Sequence, residues 1–168
     1  EILVLQLDVT DDKSIKHCIK QTIEKYKKID ILVNNAGIVV WKELKDQNYK
    51  EIEDQLRINL EGLIKVTKEA LPYIRDIIIN ISSGAGKQGI PTLSTYCATK
   101  FGVRGFTQSI AQELPDIKVY CINPGVTATR MNDFQGLPPV RVAEIILNTA
   151  KGKYKIQSGG DLDVWKLI

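Results

Sequence analysis

The chain has 168 residues, 43% of them hydrophobic and 26% charged, a balance that fits one soluble globular domain around a single core. Its 23 Lys and Arg against 20 Asp and Glu leave a formal charge of +3, too small and too scattered to mark a nucleic-acid or anionic-membrane surface. No apolar run approaches the roughly 18–20 residues of a membrane span, and Cys18, Cys97 and Cys121 are far apart with no C-x-x-C pair, so a spanning helix, a disulfide framework and a zinc site are set aside. The N-terminus lacks a basic region followed by a cleavable apolar segment, and a reducing cytoplasm is the expected setting. Residue 1 is Glu rather than Met and stands inside a strand-like run, so an upstream start is expected.

Ile2 to Leu7 is a short run of Ile, Leu and Val, the pattern of a parallel strand covered on both faces. Asp11 to Lys28 carries Ile15, Ile19, Thr22, Ile23 and Tyr26 on one side of an amphipathic helix, and Ile29 to Val33 reads as the next strand. From Asn48, a cap residue with Glu51 in the capping-box position, the series Tyr49, Ile52, Leu56, Leu60, Leu63, Ile64, Thr67 and Leu71 predicts one helix of about six turns ending at Pro72. Ile77 to Ile81 is a strand, and Ser94 to Leu114 a helix with Phe101, Phe106, Ile110 and Leu114 as its apolar side, stopped by Pro115. Ile117 to Ile122 is a further strand, followed by a helix from Pro139 to Ala150. The tail from Lys155 to Val164 can add a last strand with a Gly159-Gly160 turn, with Trp165 packing at its end. The loop from Thr127 to Pro138 is the longest candidate for mobility. This alternation, without repeat or linker, predicts one α/β domain with a doubly wound, Rossmann-like parallel sheet, right-handed crossovers and ligands outside the carboxyl ends of the strands.

Polar residues and glycines gather at those ends: Asp8-Val-Thr10, Asn34-Asn-Ala-Gly37, Ser82-Ser83 and Asn123-Pro-Gly125. Turn formers are needed at any strand end, so no single segment identifies a site. Tyr96 and Lys100 stand one helical turn apart near the start of a helix, which places both side chains on one face. A phenol with an unperturbed pKa near 10 exchanges protons poorly at neutral pH. An ammonium about 4 Å away, at an effective dielectric near 20, contributes on the order of 4 kcal/mol, enough to lower that value by roughly two to three units. The pair is therefore expected to hold an acidified phenol.

Asn34-Asn-Ala-Gly37, Asn59, Ser83, Tyr96-x-x-x-Lys100 and Asn123-Pro-Gly125, in this order and spacing, resemble the short-chain dehydrogenases/reductases from Leu7 to about Met131. The resemblance implies an oxidoreductase that transfers a hydride between NAD or NADP and a small-molecule carbonyl or secondary alcohol. It implies that Tyr96 is the general acid in reduction and base in oxidation, that Ser83 hydrogen-bonds the reacting oxygen, and that Lys100 favours tyrosinate while holding the nicotinamide ribose. Asn59 would anchor a water in a proton relay. Asp8 would meet the adenine side with Val9 beside it, while Asn34, Ala36 and Gly37 line the cofactor, joined by Pro124, Gly125 and Thr129. From the residues alone, Asn59 serves equally well as a buried structural residue, and Asn34 is expected to tie strands together. His17 reads as a solvated helix residue, Trp41 and Tyr49 as packing residues.

Gly84-Ala-Gly86-Lys-Gln-Gly89 matches the dinucleotide fingerprint in letters only, because Pro91 and Thr92 keep a helix N-terminus from following the glycines. The family's glycine-rich turn after the first strand, and the residue that separates NAD from NADP, do not occur in this sequence. In the family's sheet order, 3-2-1-4-5-6-7, Ile2 to Leu7 matches the third strand and Ile31 to Val33 the fourth, leaving a gap of about 14 Å for two strands. Residues 1–168 are therefore expected to be the C-terminal portion of one such domain, with some ~50–60 residues upstream. The short stretch from Asn132 to Pro138 implies a small or open substrate pocket. The two long helices resemble the pair that joins family homodimers and homotetramers. Two alternatives remain: the sugar-nucleotide epimerases and dehydratases, which share the Tyr and Lys but need a larger C-terminal region, and a non-catalytic dinucleotide-binding or oligomerisation module.

Overall fold

Residues 1–168 are described by a computed structural model. Helix α1, Asp12–Tyr26, starts where the Asp11 side chain accepts the Lys13 N–H and stops at Lys27, which turns left-handed with φ 68°. Strand β1, Ile29–Asn34, leads to α2, Tyr49–Leu56, opened by the capping box of Asn48 and Glu51. A π-helical turn, Arg57–Glu61, joins α2 to α3, Gly62–Ala70. Then follow β2, Ile74–Ile81, α4, Ser94–Glu113, β3, Lys118–Asn123, α5, Pro139–Ala150, and β4, Asp161–Asp163.

The four strands form one parallel sheet in the order β1-β2-β3-β4. The period of two separates its faces. Ile77, Ile79 and Ile81 of β2 and Tyr120 and Ile122 of β3 pack on Val142 and Ile145 of α5. Ile78 and Val119 meet Ala70 of α3, Ile110 of α4 and Ile19 of α1, while Cys121 meets Leu63 and Val103. The fold is thus doubly wound and Rossmann-like. One expectation changes: the strands advance in a single direction across the sheet, yet α4 and α5 lie on opposite faces, so the β3–α5–β4 connection is opposite in hand to β2–α4–β3.

Ile2 to Leu7 forms no strand and pairs with none, and Ile2 and Val4 are 87% and 86% exposed. A strand is defined by its hydrogen-bonded neighbour, and β1 does not lie beside this run. Between them runs an apolar trench of about 370 Å³, lined by Leu7, Val9, Ile19, Ile31, Val33 and Val66 among others.

The long helical segment also differs from its apolar series. Tyr49 is 91% exposed, and Leu56 and Ile64 face outward, while Gln55, Asn59, Leu63, Val66, Thr67 and Ala70 are buried. The Gly62 N–H reaches back to the Arg57 carbonyl, and this π turn changes which side of the segment faces the sheet. Polar side chains on that side find partners within the fold. Phe101 points outward for a simpler reason: the inward stripe of α4 is Tyr96, Lys100, Val103, Thr107 and Ile110. The Thr127–Leu137 loop is stitched rather than loose, by Ala128 N–H to Leu137 O at 2.8 Å and Leu137 N–H to Val126 O at 2.9 Å.

Gly62 lets α3 approach the N-terminal segment, since a Cβ there would lie 2.8 Å from Val9 Cβ and from the Val9 carbonyl. Gly62→Ala is expected to lower stability by about 1–3 kcal/mol. Gly105→Ala on α4, where a Cβ meets nothing within 4 Å, should raise stability by about 0.5–1 kcal/mol. Urea unfolding of both variants checks the pair, and equal effects would contradict the packing described.

Candidate active site

The carboxyl ends of β1, β2 and β3 carry asparagines, and these join the strands side chain to side chain. Asn34 Nδ2 donates to Asn80 Oδ1 at 2.8 Å and to Thr67 Oγ1 at 2.9 Å, and Asn80 Nδ2 donates to Thr107 Oγ1 at 3.0 Å. Asn34 therefore does tie strands together. Asn80 and Thr107 are not singled out by sequence, and Thr67 only as a member of the helical series, because a lone polar residue in an apolar element gives no local sign of a partner so distant in the chain.

Asn59 sits within the π turn, fully buried. Its Oδ1 accepts the Ile38 N–H at 2.7 Å, and its Nδ2 donates to Ile38 O at 2.8 Å and Thr99 Oγ1 at 3.2 Å. It thus clamps the loop after β1 in both directions. A Cβ on Gly37, in that loop, would lie 3.3 Å from Asn59 Oδ1 and 3.7 Å from Lys100 Nζ. The missing side chain keeps space open beside the ammonium.

Ser83 follows β2 and caps the 3₁₀ turn Gly84–Gly86, its Oγ accepting the Ala85 N–H at 3.1 Å. That leaves the hydroxyl proton free to donate. Gly84 N–H meets Pro124 O at 2.9 Å, which joins the Ser83 turn to the Asn123-Pro-Gly125 loop after β3. The glycines of this turn form a 3₁₀ turn and open no α-helix, since α4 begins only at Ser94, beyond Pro91 and Thr92.

Tyr96 and Lys100 stand together on α4, the Lys100 Nζ 5.6 Å from the centre of the Tyr96 ring. Tyr96 packs beside Ala85, Leu93 and Cys97, with Val39 and Ile90 in the same apolar group. Lys100 is 5% exposed, donates to Ile81 O at 2.9 Å and has no carboxylate partner. Burial pushes its pKa down to about 8, with Cys121 opposing weakly. Burial also raises the Tyr96 pKa, with Ser83 acting to lower it and Cys97 to raise it.

The expected acidified phenol is not what the nucleotide-free site holds. The ammonium lies 5.6 Å from the centre of the phenol ring, and desolvation, the largest influence on each group, disfavours both charges. Tyr96 is a neutral proton donor here, beside a lysine that ionises reluctantly.

The remaining expected positions divide. Val9, Asn34 and Ala36 line the apolar trench, whereas Asp8 is exposed and its carboxylate accepts the Thr10 N–H and Thr10 hydroxyl at 2.8 Å each. Thr129 caps the 3₁₀ turn Arg130–Asn132 in a capping box with Asn132, and keeps a hydroxyl proton to donate. Trp41 bridges two loops through Nε1 to Met131 O at 3.3 Å and does not pack in the core, nor does Tyr49. The residues fit the nicotinamide-ribose end of a dinucleotide: Gly37 leaves room, Lys100 has two protons beyond the one on Ile81 O, and Ser83 and Thr129 offer hydroxyls.

A family model described as short chain dehydrogenase matches residues 1–137. An uncharacterized oxidoreductase of Schizosaccharomyces pombe is 31% identical over 181 aligned residues, covering 89% of this chain and 77% of that protein. The 3-ketodihydrosphingosine reductase of Bacteroides thetaiotaomicron is 34% identical over 139 residues, covering 79% of this chain and 52% of that protein. This chain therefore spans about half the length of some curated relatives. A crystal structure of a dehydrogenase/reductase from Sinorhizobium meliloti 1021 superposes with a TM-score of 0.86 at 25% identity, over 96% of this chain and 72% of that one.

The buried lysine carries a pH signature. Its folded pKa of about 8 lies below the ordinary 10.5, so between those values the unfolded chain holds a proton that the folded chain has released. Stability from this group therefore increases as pH rises through that window, by about 3 kcal/mol in all. The stability of the wild type minus that of Lys100→Met should grow by that order between pH 7 and pH 10.5. A flat difference in denaturant unfolding would show that the lysine is not desolvated.

Proposed function

This chain belongs to the short-chain dehydrogenases, a family of oxidoreductases, and from that premise we propose that it interconverts a carbonyl and a secondary alcohol with NAD or NADP, Tyr96 passing the proton. The observation that carries this reading is the convergence of Ser83, Tyr96 and Lys100 at the carboxyl end of β2, where the Lys100 ammonium is fixed on the carbonyl of Ile81. When bound, the nicotinamide supplies or accepts the hydride.

Ser83 donates its free hydroxyl proton to the substrate oxygen and orients it. Tyr96, neutral in its buried site, gives that oxygen its proton in reduction and takes one back in oxidation. Lys100 holds the ribose hydroxyls with the protons not spent on Ile81, and its charge offsets the tyrosinate left behind. Asn59 acts through Ile38, holding the loop of Gly37 open beside the ammonium. Pro124, Gly125 and Thr129 would hold the carboxamide side of the nicotinamide, and Val9, Asn34 and Ala36, which line the trench, would border the cofactor there.

A homodimer or homotetramer is part of this proposal. Leu56, Ile64 and Phe101 leave apolar surface exposed on the α2–α3 and α4 helices, and Leu56, Leu60 and Ile64 line a shallow groove along the α2–α3 segment. Ile64→Asp combined with Phe101→Asp should yield a monomer by light scattering, and an unchanged oligomer would remove these helices from the interface.

The chemical test uses the full chain, NADH or NADPH and a panel of carbonyls. Tyr96→Phe, folded as judged by circular dichroism, should lose about two orders of magnitude or more in turnover. Undiminished turnover would end the assignment of the acid, and nucleotide binding without turnover in the wild type would favour a non-catalytic module.

A further inference from the structure

β4 ends beside the Ser83 turn in a cluster of charges that the proposed reaction does not use. Asp163 is 7% exposed, and its carboxylate takes Lys87 Nζ on both oxygens at 2.9 and 3.0 Å, Asn123 Nδ2 at 2.9 Å and Lys166 Nζ at 3.0 Å. Burial works to raise its pKa, but these donors outweigh it and hold the carboxyl down at about 2. Asp161, on the same strand, takes Arg104 Nε and Nη2 at 3.0 and 2.5 Å, while Arg104 Nη1 donates to Gly86 O at 2.8 Å. Lys87 also approaches Asp161 at 3.4 Å.

These bonds converge on one short piece of backbone. The turn from Ser83 to Lys87 is closed by Gly86 N–H to Ser83 O at 2.9 Å and Lys87 N–H to Gly84 O at 3.0 Å. Beyond Lys87 the chain runs through exposed Gln88 and Gly89, and a Cβ on Gly89 would meet nothing within 4 Å. The Lys87 ammonium and the Arg104 guanidinium are thus the side-chain ties of this turn to β4. Trp165 covers its other side, with ring carbons 3.5 and 3.7 Å from the Cβ position of Gly84 and 4.0 Å from that of Gly125.

We infer that Asp163, acting through Lys87, is a positioning residue that holds the Ser83 hydroxyl in register with Tyr96, so that the last strand fixes the geometry of the proton-transfer pair. The inference rests on the reaction proposed above for that site. Asn123, which directly precedes Pro124, hangs from the same carboxylate, so Asp163 sets the Ser83 turn and the β3 loop against each other with one group. Proton transfer is sensitive to misplacements of about 1 Å. An anchor with a carboxyl pKa of about 2 stays charged throughout the working pH range.

The test compares wild type, Lys87→Met and Lys87→Arg in the full chain, with tyrosines labelled at ¹³Cζ and the Tyr96 resonance assigned by Tyr96→Phe. The groups facing the Tyr96 ring are Lys100, Cys97 and Ser83, and of these Ser83 lies on the turn that Lys87 ties to β4. In Lys87→Met the Tyr96 titration should move to higher pH by about one unit, as expected when an anion loses one hydrogen-bonding neighbour. Carbonyl turnover should fall by about tenfold or more at unchanged nucleotide affinity. Lys87→Arg should restore both. An unmoved Tyr96 titration in folded Lys87→Met overturns the inference, and so does equal damage from Lys87→Arg, which would mark a merely structural contact. A shifted titration in a chain that turns over no carbonyl supports the positioning role and defeats the proposed reaction instead.

Discussion

A lysine ammonium buried without a carboxylate sets the terms for everything around it. Lys100 is held on the Ile81 carbonyl at 2.9 Å, and burial brings its pKa to about 8. The same burial keeps the neighbouring Tyr96 phenol neutral. Two groups that would stabilise one another as ions are instead both pushed toward their uncharged forms. A ligand that brings hydroxyls to the ammonium, or a developing oxyanion to the phenol, supplies what the protein alone withholds.

Such a lysine persists because the surrounding polar groups are satisfied. No buried side-chain nitrogen or oxygen lacks a hydrogen-bond partner. Asn34, Asn80 and Thr107 link strands to helix, Asn59 holds both polar groups of Ile38, and Asn123 hangs from Asp163. These bonds join the carboxyl ends of the strands to one another and to the helices, beside the apolar packing of Ile81 and Ile122. An unpaired member would leave a buried polar group at a cost of about 1–3 kcal/mol, which makes the network a constraint on stability as well as on geometry.

The parts of this arrangement legible in the sequence were those with a local signature. The capping box of Asn48 and Glu51, the one-turn spacing of Tyr96 and Lys100, and the Ile-rich strands β1 to β3 depend on neighbours in the chain. The parts that were not legible depend on distant partners. Ile2 to Leu7 has the composition of a strand, yet pairing decides, and no strand lies beside it. The π turn at Arg57–Glu61 leaves no mark in the apolar series but decides that Asn59 faces inward and Ile64 outward. Lys87 and Asp163 meet across 76 positions of chain, and neither spacing nor composition links them. The phenol illustrates the same limit in electrostatics, because spacing on a helix gives the neighbour but not the depth at which both groups are buried.

The central claim is that Lys100 is a desolvated cation at the heart of the site, and the most direct measurement is an NMR titration of its side-chain ammonium in the nucleotide-free chain, assigned with a Lys100→Arg variant. Its midpoint is expected at about 8, well below the ordinary lysine value of 10.5. A midpoint near 10.5 would contradict a desolvated cation and with it the electrostatic reading of Tyr96.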